Sequence, residues 1–597
     1  MNRWLRLLGA GLLTAWAAHA SAQDLRLVLP PEDDLRDRLR AVSLLDALFA
    51  DEEAARPLAR REVVAAAQAD YRRLVSALFA EGYFAPVVSI AVDGVEAEAL
   101  PVVGRRDPVS LVTVTVQAGP RFVFGRAAIG PLAPRTELPD AFAPGQPAGT
   151  EPIRDAASAS IERWREVGHA KADIASEDIV ADHAARRLDV DLGVAPGPRV
   201  ALGPLTVRGA ERVREDRIRK IVDLDRGQVF DPDEIDRATR RLLRTGAFRS
   251  VAITEGDRLI DGNRLPLTVA VVEELPRRFG AGVEIASEEG LSLSGFWLHR
   301  NLTGRADSFR VEAEARGLGG GTGGEDYGIS FAYNRPSSIN AETDLFVTGG
   351  LRSEDQPLFQ SDQAELTVGA RRYVSEEFQY SYALSYRFSD VTDAFGSRTF
   401  NIVSLPLAAT YDRRDDDLNP SDGYYVDATL SPFFGTETTG GGLRFTADLR
   451  GYEGFLADDR LVIAGRLQLG TVMGPDLRDT PPEDLFFSGG GGTVRGQGFQ
   501  DLGVTLPSGR RVGGKSLAVF SAEARFGITD AIGLVGFYDI GLVSPDADWG
   551  GGETHSGAGL GLRYDTGIGP IRLDVGLPVS GPDGDGVQVY IGIGQAF

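Results

Sequence analysis

The residues most able to form a specific interaction are an arginine in a glycine-rich segment and two carboxylates downstream of it. Arg495 follows the run from Gly489 to Gly492 and precedes Gly496. Glu523 and Asp539 lie in segments where apolar and polar residues alternate. A guanidinium presents forked donors that fit carboxylate oxygens, and such charge-assisted hydrogen bonds are stronger than neutral ones. These residue types predict an ion pair that holds structure together.

The remaining titratable residues offer little chemistry. The chain has five histidines and no cysteine, which excludes thiol catalysis and cysteine-based zinc sites. His169, His183 and His299 do not have the spacing of metal ligands. No nucleophile, base and orienting partner form a recognisable motif. We therefore expect no enzymatic activity, no metal and no cofactor.

Two glycine-rich runs and an aspartate run have ordinary structural explanations. The runs Gly317 to Gly324 and Gly489 to Gly492 lack the Gly-Lys-Ser/Thr ending of a phosphate-binding loop, so we expect turns or loop hinges. Asp415 to Asp417 could bind calcium, but an aspartate run before Asn419-Pro420 is more typical of a solvated turn.

The start of the chain predicts export. Arg3 and Arg6 precede an apolar stretch from Leu7 to Ala18 and the triplet Ala20-Ser21-Ala22, which together are typical of a signal peptide at residues 1–22. A signal anchor is the alternative, but the apolar stretch is shorter than the ~20 residues of a spanning helix. No later apolar run reaches that length either.

The composition indicates a folded, multidomain protein that does not bind nucleic acid. The chain has 597 residues, of which 43% are hydrophobic, and it can therefore fill several domains. Its formal net charge is −23, whereas nucleic-acid phosphates require a basic partner.

The region before residue 276 predicts a repeated α+β arm. Helical stretches end at Gly82, Gly168 and Gly246, which follow one another at domain-sized intervals and suit the cap of a helix. Gly-Pro turns at Gly119 and Gly197 separate extended runs, so one module ends in a strand and the next begins with one. We expect three β-α-α-β-β modules, at residues 23–117, 118–196 and 197–275.

The region from 276 to 597 predicts a transmembrane antiparallel β-barrel. Segments of about ten residues alternate in polarity, and clusters of Gly, Asp, Ser and Pro separate them. Polar and apolar residues also alternate in the strands of a soluble β-sandwich, but such a domain is ordinarily smaller. In this region Asp, Glu and Arg recur on the face of the strands opposite the apolar one. That pattern suits a polar lumen inside an apolar wall. At roughly 20 residues for a strand and its connection, we expect about sixteen strands.

The predicted barrel would give Arg495 surroundings that favour an ion pair. An arginine on a loop that folds into a lumen loses water and should contact the inward-facing carboxylates of Glu523 and Asp539. The alternative is that Arg495 lies in a mobile glycine-rich loop at the surface.

The same loop carries a family resemblance. The stretch Phe486 to Phe499 contains Val494-Arg495-Gly496 and then Gln497-Gly498-Phe499. It resembles the Val-Arg-Gly-aromatic motif on the inward-folded loop of the BamA/TamA superfamily of outer-membrane assembly proteins, with the aromatic displaced to Phe499. Phe537 to Gly541 resembles the family's aromatic-x-Asp-x-Gly strand motif, whose Asp, here Asp539, faces the loop arginine. Gly569 to Asp574 and the closing Phe597 resemble the family's last strands.

Within the superfamily the chain is most similar to the TamA branch. BamA-type proteins usually carry five of the periplasmic modules called POTRA, and this chain is expected to carry three. Trp297 to Gly304 and Tyr411 to Asp415, followed by Asn419-Pro420 and Gly423, are also similar to that branch. The resemblance implies an outer-membrane barrel with periplasmic POTRA domains that assembles or translocates outer-membrane and autotransporter proteins. It also implies a TamB-like inner-membrane-anchored partner and contact with outer-membrane lipid.

The resemblance further implies strand exchange at a lateral seam between the first and last barrel strands. Glycines leave the last strand thin on its lumen side, and Gln595 interrupts its apolar row, so we expect this seam to be the weakest in the barrel. An incoming strand could satisfy the unpaired backbone groups by β-augmentation. The predicted seam residues are Phe279, Gly280, Gly592, Gly594 and Phe597.

The alternative function is a two-partner-secretion transporter or a passive outer-membrane channel. Two-partner-secretion transporters usually have two POTRA domains and an N-terminal plug helix. Three predicted modules and no obvious plug favour the assembly factor.

Overall fold

The computed structural model describes residues 24–50, 58–102, 109–286, 290–321, 323–436, 439–529, 531–566, 569–581, 586–593 and 595. The predicted signal peptide lies outside them. The chain forms two compact units, one reaching Leu202 and including 227–233 and 259–265, the other containing 203–226, 234–258 and 266–597. Within the described residues, no helix is both long enough and apolar enough to cross a bilayer.

The first module packs three helices, one more than the β-α-α-β-β plan predicts, on a sheet of strand order β1-β4-β2-β3, in which β1 runs parallel to β4. Val63, Ala67, Leu74 and Leu78 recur at helical spacing on the buried side of the long third helix and form the core with the sheet. Its elements are Asp24–Val28 (β1), Asp33–Val42 (α1), Leu44–Ala50 (α2), Arg60–Ala80 (α3), Val87–Val92 (β2), Val95–Glu96 (β3) and Leu111–Gln117 (β4).

The second module places one helix on a sheet of order β5-β7-β6, with β5 parallel to β7. It differs from the expected β-α-α-β-β order, because residues 131–149 form turns and irregular structure where a first helix was predicted. Proline lacks the N–H that a helix interior needs, and this segment contains Pro131, Pro134, Pro139, Pro144 and Pro147. The elements are Val123–Gly130 (β5), Thr150–Glu166 (α4), Asp173–Asp182 (β6) and Arg187–Ala195 (β7).

The third module has strand order β8-β10-β9 and two helices. The second helix begins where the Asp231 carboxylate accepts the main-chain N–H of Asp233 at 3.0 Å, with Pro232 as its first residue. Ala306 from a barrel turn is buried in the same core as Ile218 and Leu242. The elements are Ala201–Arg208 (β8), Glu215–Val222 (α5), Pro232–Arg244 (α6), Phe248–Glu255 (β9) and Arg264–Glu273 (β10).

The rest of the chain is a closed antiparallel barrel, as predicted. Its strands are Arg277–Ala286 (β11), Gly290–His299 (β12), Ser308–Leu318 (β13), Asp326–Arg335 (β14), Thr343–Gln356 (β15), Phe359–Tyr373 (β16), Phe378–Asp393 (β17), Gly396–Ser404 (β18), Leu407–Asp412 (β19), Gly423–Gly435 (β20), Gly440–Phe455 (β21), Leu461–Met473 (β22), Ser516–Gly527 (β25), Ile532–Ser544 (β26), Glu553–Tyr564 (β27), Ile571–Ser580 (β28) and Gln588–Ile593 (β29). The hairpin Val504–Thr505 (β23) and Arg511–Val512 (β24) belongs to the loop between β22 and β25.

The described wall has sixteen strand positions, which confirms the predicted number. The segments β18 and β19 share one position, because both pair with β17 and both pair with β20. The interruption falls at Leu405-Pro406, and proline cannot donate to a strand ladder.

The predicted alternation is visible along β28. Leu573 and Val575 are each 39% exposed on the outer face, whereas Asp574 is completely buried on the inner one. The apolar wall and polar lumen follow from this period of two residues.

Candidate functional site in the barrel lumen

The loop between β22 and β25 folds into the barrel and brings Arg495 to the inner wall. Arg495 donates from Nε and Nη2 to the two carboxylate oxygens of Asp539, at 2.8 and 3.0 Å. Its Nη1 donates to Glu523 Oε1 at 2.6 Å. Its main-chain N–H donates to Asp539 as well, at 3.1 Å, so the same carboxylate holds both the side chain and the backbone of the loop.

Two further residues complete the surroundings of the guanidinium. Asp574 on β28 lies 3.4 Å from Arg495 Nη1. The ring of Phe537 on β26 lies beneath the guanidinium carbon, with its centroid 3.7 Å away. Arg495 is therefore enclosed by side chains from three wall strands.

This cluster is electrically balanced. Glu523 also accepts from Arg525 Nε at 2.9 Å, and Asp574 accepts from Arg563 Nη1 at 2.5 Å. Three arginines thus face three carboxylates, all of whose side chains are 7% exposed or less. Buried charges are tolerated when they are paired and hydrogen-bonded, which this set achieves without a surplus charge.

Glycines in the wall make room for the loop backbone. A Cβ atom on Gly557 would lie 1.9 Å from the main-chain oxygen of Arg495, and one on Gly576 would lie 2.8 Å from the nitrogen of Gly496. A Cβ on Gly541 would lie 2.9 Å from a methyl carbon of Val494. The loop therefore fits a slot that side chains at these wall positions would fill.

The loop is also bonded to the last strand. The main-chain N–H of Gly496 donates to the Tyr590 hydroxyl at 3.2 Å, and Tyr590 on β29 is 5% exposed. Gln497 Nε2 donates to the main-chain oxygens of Ser556 and Ser580, at 2.6 and 3.0 Å. The motif thus links wall strands β25 to β28 with β29.

The seam between β11 and β29 is short. Within the described residues its ladder consists of two pairs, Ile285 with Ile591 and Ala286 with Tyr590. The ladder between β11 and β12 has ten pairs, and that between β28 and β29 has six. Tyr590 therefore contributes both to the seam and to the anchoring of the loop.

The end of the last strand contacts a turn from another part of the wall. The main-chain N–H of Gln595 donates to Leu418 O at 3.3 Å, and its Nε2 donates to Asn419 Oδ1 at 2.7 Å. Its Oε1 accepts from Arg563 Nε at 2.8 Å. The aspartate run supports this turn, because the Asp415 carboxylate accepts the N–H of Ser421 at 2.9 Å. Gln595 is thus bound within the barrel mouth and does not continue the outer apolar row.

Comparisons with known families agree with this architecture. A family model described as the Omp85 superfamily domain matches residues 301–597. The barrel is an Omp85 superfamily domain. A second model, described as POTRA, surface antigen variable number repeat, matches residues 200–274, which is the third module.

Two curated relatives of this chain are named outer membrane protein assembly factor BamA. The protein from Neorickettsia risticii is 23% identical over 557 residues, which covers 87% of this chain and 70% of the relative. The protein from Nitratidesulfovibrio vulgaris is 24% identical over 512 residues, covering 80% of this chain and 62% of the relative. This chain therefore spans about two thirds of the length of these relatives. They are named as assembly factors and not as enzymes.

Two solved structures share the fold. The crystal structure of BamA from Haemophilus ducreyi lacking POTRA domains 1–3 aligns with a TM-score of 0.61 at 15% identity, over 79% of this chain and 99% of that one. CdiB from Acinetobacter baumannii aligns with a TM-score of 0.50 at 12% identity, over 80% of this chain and 90% of that one. With its Omp85 barrel and POTRA module, the chain is an outer-membrane protein whose POTRA module lies in the periplasm.

The structure brings together some of the residues singled out in the sequence. Arg495 meets both Glu523 and Asp539, while Val494 is buried and Phe499 is half-buried beside the lumen cavity.

At the seam the described ladder pairs belong to Ile285 and Ala286, whereas Phe279 and Gly280 pair with β12 nearer the third module. Gly592 lies on β29. Gly594 and Phe597 lie outside the described residues.

Sequence reasoning missed Asp574 and Tyr590. Asp574 belongs to the same inward-facing row of β28 as Arg572, so the alternation contained a signal for it. Tyr590 is a large side chain on the lumen side of the last strand, where the next residue on that face is Gly592, and that contrast was also visible. Neither signal indicates which wall residues lie level with the loop.

Proposed function

We propose that this chain is an outer-membrane protein assembly or translocation factor that works by strand exchange at the β11–β29 seam. The observation that carries the proposal is the two-pair ladder of the described seam beside ladders of ten and six pairs. A backbone group cannot remain unpaired in hydrocarbon, so a short ladder marks the place where an incoming strand gains the most hydrogen bonds. β-Augmentation of β11 would supply them.

The lumen cluster holds the β29 side of the seam during this exchange. Arg495 and its carboxylates tie the loop to β25, β26 and β28, and the Gly496–Tyr590 hydrogen bond extends that support to β29. A buried, balanced cluster is costly to separate. We infer that strands β25 to β29 stay in place while β11 changes partner.

A disulfide across the seam tests the proposal. The chain contains no cysteine, so Ile285→Cys with Ile591→Cys would form a single defined bridge between ladder partners. We expect the oxidised variant to fold but to lose insertion of outer-membrane client proteins into lipid vesicles, and reduction to restore it. The matched control is Val575→Cys with Val589→Cys, which joins β28 to β29 and leaves the seam free. Full insertion by the oxidised seam variant would contradict the mechanism.

More specifically, we propose a TamA-like role with three POTRA domains, at residues 23–117, 118–196 and 197–275. The shared sheet plan supports it: in each module the last strand lies between the first strand and the long strand that precedes it, as in the matched POTRA module. The clients would be autotransporters and other outer-membrane proteins, and the partner a TamB-like inner-membrane-anchored protein, with outer-membrane lipid at the barrel.

Crosslinking in cells from the first module tests this finer role. Recovery of an inner-membrane-anchored protein would support the TamA-like role, and recovery of one dedicated secreted partner would support a two-partner-secretion transporter. A passive channel would show ion conductance that the seam disulfide does not change, together with no captured client.

A further inference from the structure

An ion pair joins the two sides of the seam without involving the backbone. Arg572 lies on β28, and its Nη2 is 3.3 Å from Glu284 Oε1 on β11. Strand β29 runs between these two strands in the barrel order. The arginine side chain must therefore pass over the last strand to reach the first.

Gly592 has no side chain that would block the Arg572 side chain where it crosses β29. It is the ladder partner of Arg572, and a Cβ atom on it would lie 3.1 Å from Arg572 Nε and 3.5 Å from Nη2. The 3.1 Å distance to Nε is shorter than ordinary van der Waals contact, so a side chain at 592 would press on the guanidinium. The thin lumen face of the last strand is thus occupied by Arg572.

The ion pair lies next to the end of the described ladder. Glu284 immediately precedes Ile285, which forms one of the two seam pairs. Arg572 is 14% exposed and Glu284 is 59% exposed. Both line a lumen cavity of about 790 Å³ that Phe499 and Tyr590 also border. Water and salt can therefore reach the carboxylate, and the contact is reversible.

We propose that Glu284 and Arg572 form a clasp that sets how often the seam opens, with Gly592 as its positioning residue. The proposal rests on the proposed function, in which the seam opens laterally, and it assigns control of that opening to these two charged side chains. The clasp adds a salt-sensitive contact where the described main-chain pairing stops. Loss of either charge raises the fraction of open seam without disturbing the buried cluster around Arg495.

Capture of a peptide measures the open fraction directly. The full-length protein with Ile285→Cys, in lipid vesicles, is mixed with a peptide of the chain's own residues 586–597 that carries cysteine at the position of Ile591. Because β11 must be free before the peptide can pair with it in register, the rate of disulfide formation rises with the open fraction. We expect Glu284→Gln to raise the capture rate by roughly two- to fivefold, the effect of losing a half-exposed ion pair. Glu284→Arg should raise it further.

Charge reversal and added salt distinguish loss of the clasp from a general loss of barrel stability as the cause of raised capture. Glu284→Arg combined with Arg572→Glu should return capture close to the parental rate, and added salt should raise parental capture while leaving Glu284→Gln little changed. The matched control is Glu312→Gln, which removes a lumen carboxylate that pairs with Arg310 within its own strand. Resistance of the folded barrel to denaturation by detergent verifies folding of each variant.

Capture needs no client protein, so its outcome is independent of the proposed function. Unchanged capture in both Glu284 variants would overturn the clasp even if client insertion requires an open seam. Raised capture that charge reversal fails to restore would overturn it as well. If insertion never depends on the seam but capture follows the charges, the proposed function fails and the clasp stands.

Discussion

Gly557 lies so close to Arg495 that a Cβ atom on the glycine would be 1.9 Å from the arginine's main-chain oxygen. The wall of the barrel and the backbone of the loop are in direct contact at this point. The ion pairs of Arg495 therefore depend on small residues in the wall as much as on its carboxylates, because the loop must approach the wall before the guanidinium can reach them.

Gly557→Ala should displace the loop. The added methyl group has no space, and overpacking of this kind costs about 1–3 kcal/mol of unfolding free energy. Urea unfolding in detergent micelles would measure the loss. The control is Gly451→Ala on β21, since no atom lies within 4 Å of a Cβ built there. Equal stability of the two variants would show that the loop does not press on Gly557.

The barrel and part of its site were predictable because alternation is a local property. A period of two residues assigns Glu523 and Asp539 to the lumen whatever the neighbouring strands do. A forked donor on a glycine-rich loop then has few buried partners available. The contact of Arg495 with these carboxylates follows from this reasoning, together with the likeness of the loop motif to a known family.

The remaining features depend on the register between strands, which no single segment specifies. Asp574 joins the cluster because the ladders from β26 to β28 bring it level with the loop. Gln595 turns to Asn419, far away in the sequence, although its position in the alternation assigns it to the outer face. The first helix predicted in the second module is absent because proline-rich sequence overrides the repeat.

Arg241 on α6 should be a main determinant of how the third module is held on the barrel. Its Nε donates to Ile221 O at 3.0 Å, its Nη1 donates to Glu342 in a barrel turn at 2.7 Å, and its side chain is 5% exposed. Lysine cannot make both contacts. We expect Arg241→Lys to cost about 1–3 kcal/mol and to increase amide exchange around Glu342. Arg240→Lys is the control, because Arg240 is 47% exposed and its pair with Glu376 should contribute under about 1 kcal/mol.

The third module should lose a stabilising contact in acid. Burial raises the pKa of Glu273, but the main-chain N–H groups of Val213, Arg212 and Glu211, together with the Arg212 charge, outweigh burial and lower the pKa below its ordinary value of 4.5. A lowered pKa in the folded state stabilises the fold above pH 4.5, and this contribution disappears as the pH falls through the lowered value.

Amide exchange in residues 209–215 measures this effect. After correction for the intrinsic pH dependence, exchange in this segment should rise between pH 5 and pH 3 in the parent. Glu273→Gln should exchange faster at pH 5 and change less on acidification. An identical acid response in the two proteins would contradict the role assigned to Glu273.

The coupling between Arg495 and Asp539 should appear in a double-mutant cycle. Arg495→Ala leaves three buried carboxylates facing two arginines, and an uncompensated buried charge costs about 3–5 kcal/mol. Asp539→Asn should cost less, because the amide keeps one acceptor oxygen and Arg495 retains Glu523 at 2.6 Å. The double variant should be no less stable than Arg495→Ala, since the second change removes a charge that the first has left unpaired. Urea unfolding and client insertion are measured for all four proteins. Strictly additive losses would mean that the two residues act separately and that the loop is held by its other contacts.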